Sequence, residues 1–435
     1  MNKSILRLAI PNIISNITVP LLGMADLAIL GHLDSEKYLG AIALGGTIFN
    51  VIYWSFGFLR MGTSGFVAQA YGRKEQKRIT SVLLHALLIA LLGGSLLVLL
   101  QYPIQKISFY FLTGSSEVKA LARQYFYIRI FAAPATLSLY ALNGWFTGMQ
   151  DAKTPMLLAI IINVLNIVFN VLFVYGLGLK SDGVAWGTLL AQYGGFILGM
   201  WFILKKYSIY LKNLKPPFKI DYNLLKKLFQ VNKDIFIRTM VLIAVVSFFT
   251  VKSAAVSDKI LAVNTLLLQY LLLFSFIMDG FAYAAEALAG KYYGAKNSYL
   301  LSKMVRYVFA WGTAMSIIFT LLYIFFKDII LYLLTNNKSI IDAAQPYLFW
   351  VSLIPLTGFA GFLWDGIYIG TTASKLMRNT MLISAFIFYF PVYYLFVDTM
   401  ENHALWMAMI LFLAARGISQ LIFSKLAVYN FEHSS

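Results

Sequence analysis

Apolar runs of helical length recur twelve times along the 435 residues, at about 8–33, 38–70, 79–111, 119–146, 154–178, 184–206, 230–253, 260–290, 300–331, 341–370, 376–398 and 403–428. Each holds the ~20 residues that cross a hydrocarbon core of ~30 Å at a helical rise of 1.5 Å per residue. Several are longer, which implies tilt, kinks or extension past the membrane. The chain is 60% hydrophobic and only 12% charged, against about 25% charged in soluble domains. The expected fold is an all-α polytopic membrane protein of twelve transmembrane helices.

The charges between the runs set its orientation. With the N-terminus inside, the inner segments hold Lys3, Arg7, Arg73, Lys74, Lys77, Arg78 and Lys153, then a dense group from Lys205 to Lys227, then Lys291, Lys296, Lys303, Arg306, Lys375, Arg378 and Lys425. The outer loops hold far fewer, among them Lys37, Lys106, Lys180, Lys259 and Lys338. Both termini are therefore expected in the cytoplasm. The net charge of +17 is topological, suits contact with anionic lipid headgroups and calls for no nucleic acid. No cysteine is present, and the four histidines, His32, His85, His403 and His433, show no metal-binding spacing. No metal and no cofactor is expected. The sequence has no nucleotide-binding GxxxxGK[ST] loop, which argues against a built-in ATPase motor. The N-terminal segment lacks a small-residue cleavage site and reads as the start of the first helix.

The two halves repeat each other at an offset of 222 residues. Ser35 and Lys37 return as Ser257 and Lys259; Tyr71, Gly72 and Lys74 return as Tyr293, Gly294 and Lys296; Gly144, Gly148 and Lys153 return as Gly366, Gly370 and Lys375. After a shorter outer loop, Trp186 returns as Trp406 at an offset of 220. Each half has six spans, an even number, so the repeat is parallel, and parallel repeats enclose a central cavity and support rocking between two open states. The expected division is a six-helix lobe at 1–206, a cytoplasmic linker at 207–229 containing Pro216 and Pro217, and a second six-helix lobe at 230–435.

Chemistry is expected where the repeat breaks. The first run carries Asp26 and two prolines, Pro11 and Pro20; Asp26 aligns with Phe248. An acid within a span is costly and points to function unless it lies at an interface. In the fifth run Asn163, Asn166 and Asn170 share one helix face, whereas their counterparts are Ala385, Phe388 and Val392. Such amides serve either as interhelical bonds or as a polar pocket around Asp26 that takes a cation, most simply a proton. The second half has its own acids, Asp279 and Glu286 two turns apart in the eighth run and Asp365 in the tenth. They either pair with intramembrane bases such as Arg238 or Lys252 or form a second cation or substrate site.

With its helix-one acid in GMADLAILGHL, its inner loop GMQDAKTPM, and the strings SFIMDGFAYAAEALAGKYYGAKN and WDGIYIGTTASKLMRN, the chain resembles multidrug and toxic compound extrusion (MATE) transporters of the DinF-like branch along nearly its whole length. The resemblance implies a substrate and ion pocket in the N-terminal lobe. Members of this branch place a Tyr and an Asn on helix four, an Asn and an Asp on helix five, and a Thr on helix six. The matching positions here are Tyr125, Asn143, Asn166 and Thr188, beside Asp26. Asn170 departs from the pattern, which has an acid there, so Asp26 would couple alone or share the task with the second half's acids. Asp26, Asn166 and Asn170 are thus the candidate ion-coupling residues, with H⁺ or Na⁺ as the ion and Na⁺ a candidate at Asp26.

The implied activity is an antiporter, not an enzyme, that exports cationic or amphipathic organic compounds by alternating access in the bacterial inner membrane, as a monomer. Protonation of Asp26 would remove its charge, weaken the hold on a cationic substrate and favour rearrangement of the first helix at Pro20. Three rivals remain. A lipid-linked oligosaccharide flippase of the same superfamily would need a cationic cavity, for which Arg60, Arg129 and Arg238 are the available bases. An intramembrane enzyme would need a nucleophile and base, which the sequence does not offer. A passive channel would not move substrate uphill.

Overall fold

The computed structural model describes residues 1–31, 35–211 and 220–428, without the side chains of residues 19, 21, 22, 24–28 and 30. Among the described residues every regular element is helical. The thirty-residue α1 spans Asn2–Gly31. Among the described residues, eleven helices long and apolar enough to cross a bilayer follow. They are α2 (Glu36–Gly72), α3 (Gln76–Leu99), α4 (Ser116–Gly148), α5 (Lys153–Gly176), α6 (Ser181–Lys206), α7 (Tyr222–Val256), α8 (Asp258–Gly294), α9 (Ser298–Phe325), α10 (Lys338–Gly370), α11 (Ser374–Met400) and α12 (Asn402–Val428). Each apolar run of the sequence thus corresponds to a helix, and the chain is an integral multi-pass membrane protein.

The boundaries follow from local chemistry. Ser257 starts α8 by accepting the main-chain N–H of Ile260 at 3.1 Å, and Asn297 starts α9 by accepting that of Leu300 at 2.9 Å. Each such cap is worth about 1 kcal/mol. Five described helices stop at a non-glycine residue with positive φ: α2 at Lys74 (φ 60°), α4 at Gln150 (φ 62°), α8 at Lys296 (φ 52°), α10 at Thr372 (φ 56°) and α11 at Glu401 (φ 48°). The first four of these stops obey the 222-residue offset.

The same offset governs packing inside each half. A Cβ on Gly144 would meet the carbonyl oxygen of Arg60, and one on Gly366 would meet that of Ala282. Gly148 likewise lies on the carbonyl of Ser64, and Gly370 on that of Glu286. Absent side chains let α4 approach α2, and α10 approach α8, backbone to backbone. The halves differ elsewhere. The helix breaks at Phe56–Gly57 within α2, between Glu36–Ser55 and Phe58–Gly72, whereas α8 runs through without interruption.

The chain divides into two compact units, Ile14–Phe229 and Met1–Ile13 with Gln230–Ser435. In the first, Trp145 and Phe146 of α4 are buried among Leu83, Leu142 and Leu158, and the Trp145 indole donates to the carbonyl of Ile79 at 3.2 Å. The described residues of 207–229, a stretch expected as a separate linker, group with this unit, and Pro216 and Pro217 lie outside the described residues. In the second unit the first thirteen residues, expected with the other half, pack beside α8 and α9. Trp311 donates to the Asn2 side chain at 3.2 Å, and Gly280 leaves room for Ile13 and the Ala9 carbonyl.

Candidate functional site

The asparagine face of α5 lies in the unit Ile14–Phe229. Asn166 and Asn170 are 2% and 0% exposed, so each amide needs a partner inside the protein. Asn170 donates to the Oδ1 of Asn166 at 2.9 Å, and Asn166 donates to the Thr188 hydroxyl of α6 at 3.0 Å. Thr188 in turn donates to the carbonyl of Val184 at 2.9 Å. Gly187 of α6 sits against the Asn170 side chain, a fit that any larger residue would prevent.

Two bonds tie this face to α1. Asn163 donates to the Thr18 carbonyl at 3.2 Å, and the Tyr175 hydroxyl at the end of α5 donates to the Ile29 carbonyl at 2.8 Å. Asp26 falls between these two anchors in the chain, and its side chain lies outside the described residues. The other positions drawn from the resemblance lie on α4. Tyr125 is buried against Gly45 and accepts a bond from Arg129, whose guanidinium stacks 4.8 Å over Phe49 and 5.5 Å over Tyr125. Asn143 holds a buried Oδ1 that no described residue bonds. The structure therefore joins Asn166, Asn170 and Thr188 in one chain, sets Asn163 against α1, and gives Tyr125 to Arg129.

One acid escaped the sequence reading. Asp182, in the first turn of α6, buries an Oδ1 without a partner among the described residues. Its counterpart Asn402 exchanges bonds with Asn264 at 2.7 and 3.1 Å, but Ile42 stands at Asn264's place in the first half. The repeat itself held that signal.

Asp365 of α10 accepts from Arg238 of α7, from Arg416 of α12 at 2.6 Å, and from Gln420 at 2.5 Å. Of the two expectations for this acid, pairing with an intramembrane base describes the geometry. Arg416 and Gln420 were not foreseen. Glu286 is fully buried and Asp279 is half-buried on α8.

The loop between α4 and α5 forms a second polar cluster. Asp151 accepts from Thr154 at 2.6 Å and from Lys206 and Tyr207 at 2.8 Å each. Burial pushes its carboxyl up, but the bonds from Lys206, Thr154 and Tyr207 outweigh it and hold the group below the usual carboxylate range. Burial and the Asp151 charge push the Tyr207 phenol up.

The sequence matches the MatE family over residues 11–172 and 236–395. The chain belongs to the MatE family. MatE proteins are transporters, and the chain is a transporter rather than an enzyme. It is 37% identical to the DNA damage-inducible protein F of Escherichia coli (strain K12), over 96% of this chain and 91% of that protein. It is 23% identical to the probable multidrug resistance protein NorM of Thermotoga maritima, over 87% of this chain and 80% of that protein. Among solved structures, a MATE in the bent conformation has the same fold, with a TM-score of 0.88 at 21% identity, covering 100% of this chain and 96% of that one. The MatE match ends at Leu172, just past the asparagine face, and resumes at Phe236.

Proposed function

We propose that this MatE protein is a secondary antiporter that exports cationic or amphipathic organic compounds, with Asp26 exchanging the coupling ion, H⁺ in preference to Na⁺. The observation that carries this reading is the chain of side-chain bonds Asn170–Asn166–Thr188 between the apolar helices α5 and α6, beside an Asn163 that holds the main chain of α1. Lipid offers such groups no partners, so they mark the face of α5 turned to polar company. The second half puts Ala385, Phe388 and Val392 at these positions. Family membership and the multidrug resistance name of the Thermotoga relative support the substrate class.

In this reading Asp26 takes its ion from outside and releases it inside. Loss of its charge weakens the hold on a cationic substrate and frees α1 to rearrange between the Asn163 and Tyr175 anchors. Coupling requires the ion to bind the two open states unequally. Asn170 accepts and donates hydrogen bonds but does not titrate, so one carboxylate does the work. In this reading both termini lie in the cytoplasm of a bacterial inner membrane, which the excess of Lys and Arg in alternate loops supports, and these basic segments meet anionic lipid headgroups. The transporter acts as a monomer.

The test is efflux of a fluorescent organic cation from proteoliposomes under separately imposed pH and Na⁺ gradients. Uphill efflux driven by the pH gradient alone supports the reading. Efflux driven only by Na⁺ changes the ion, and no gradient-driven flux of any organic cation overturns it.

A further inference from the structure

Phe248 of α7 stands at the repeat position that holds Asp26 in the first half. Four aromatic rings of α11 meet it edge-on: Tyr389 at 5.9 Å, Phe390 and Tyr393 at 5.1 Å, and Tyr394 at 6.0 Å between centroids. One turn further along α7, the Lys252 ammonium lies 5.5 Å from the Phe248 ring, 5.8 Å from Tyr393 and 5.9 Å from Tyr394. All three distances fall within the ~6 Å reach of a cation–π attraction. Among the described residues Lys252 makes no salt bridge, and three rings lie around its charge. The local helix is built for this grouping. Pro391 has no N–H to offer the carbonyl four residues back, and the helix widens to a π-turn over Ser384–Tyr389. Tyr393 is buried, whereas Tyr394 is 59% exposed and forms an open rim.

We propose that this cluster is a second binding site for a quaternary or delocalised organic cation, with Lys252 as its tethered occupant. Ring faces recognise positive charge without hydrogen-bond geometry. A primary ammonium is compact and strongly hydrated, so it loses more than a bulky organic cation does on leaving water. Lys252 is long and flexible enough to withdraw toward the outer interface, and an incoming cation replaces it among the rings. The inference rests on the reading that the substrates are organic cations, and it adds a site in the second half to the one at Asp26.

The experiment is equilibrium dialysis of tetraphenylphosphonium against the purified full-length protein in nanodiscs. Lys252→Ala removes the competitor and is expected to tighten binding about fivefold. Lys252→Gln, which keeps the chain length, is expected to tighten it likewise, and adding Phe248→Leu to Lys252→Ala is expected to abolish the gain. Unchanged or weaker binding in both monodisperse Lys252 variants overturns the proposal, as does a gain that survives Phe248→Leu. Asp26→Asn is measured alongside in gradient-driven efflux. Failure of efflux in the wild type strikes the antiporter reading, whereas failure of the Lys252 series with efflux intact strikes only this site.

Discussion

Asn163 donates its side-chain amide to the main-chain carbonyl of Thr18 over 3.2 Å, a contact that spans 145 residues of chain. It anchors α1 on the face of α5 that also bears Asn166 and Asn170. Asn163→Leu removes the donor and returns the Thr18 carbonyl to its own helix. Bonds of this kind in membranes are worth about 0.6 kcal/mol on average, so the variant is expected to fold and to melt within a few degrees of wild type. Transport is expected to fall at least fivefold, because the helix bearing Asp26 loses its register. Matched melting curves and efflux rates check both halves of this expectation.

The paired glycines offer a test of the repeat as a packing device. Gly144→Ala drives a Cβ into the Arg60 carbonyl, and Gly366→Ala drives one into the Ala282 carbonyl. Overpacking of this type costs about 1–3 kcal/mol. Both substitutions are expected to destabilise by similar amounts in chemical denaturation. A loss confined to one of them would mean that the two contacts differ despite their matching sequence positions.

Asp365 balances two guanidiniums with little solvent access, Arg238 and Arg416 being 10% and 4% exposed in their side chains. Removing the acid leaves uncompensated buried charge, at a cost of about 3–5 kcal/mol. Asp365→Asn is therefore expected to lower expression and melting temperature sharply, and Arg238→Met to cost less because Arg416 and Gln420 still hold the carboxylate. An Asp365→Asn protein with normal stability and altered ion coupling would instead make Asp365 an ion site.

Asp151 gives a pH dependence with a definite sign. Its carboxyl is held below the usual range, burial being outweighed by Lys206, Thr154 and Tyr207. Its contribution to stability is thus full above the unfolded value of about 3.9 and is lost only as pH falls through the lower folded value. Asp151→Asn is expected to cost about 2 kcal/mol, most of it from Thr154 and Tyr207, because Lys206 is half exposed. The difference in melting temperature between wild type and variant should stay constant from pH 8 to pH 5 and shrink only below about pH 4.

Much of the fold was legible because a membrane imposes simple rules. Runs of ~20 apolar residues must become helices, and the 222-residue offset carried through to turns at Lys74 and Lys296 and to glycine contacts at Gly144 and Gly366. The asparagine face of α5 was legible from helical spacing alone. Three features were not. Arg416 sits in an apolar run, and its pairing with Asp365 depends on how α10 meets α12, which spacing does not encode. The break at Phe56–Gly57 has no proline to announce it and no counterpart in α8. The grouping of residues 1–13 with the second half arises from the room that Gly280 leaves for Ile13 and the Ala9 carbonyl, a fit between segments far apart in sequence.

The role given to Asp26 is tested most directly by counterflow in proteoliposomes at a fixed outward gradient of fluorescent cation, comparing wild type, Asp26→Asn and Asp26→Glu while the outer pH is stepped from 8 to 6. The expected result is acceleration in wild type, partial acceleration in Asp26→Glu, and a slow, pH-independent rate in Asp26→Asn with unchanged melting temperature. An Asp26→Asn protein that responds to the pH step as wild type does would contradict Asp26 as the coupling carboxylate and move the coupling to Asp182 or to the acids Asp279 and Glu286.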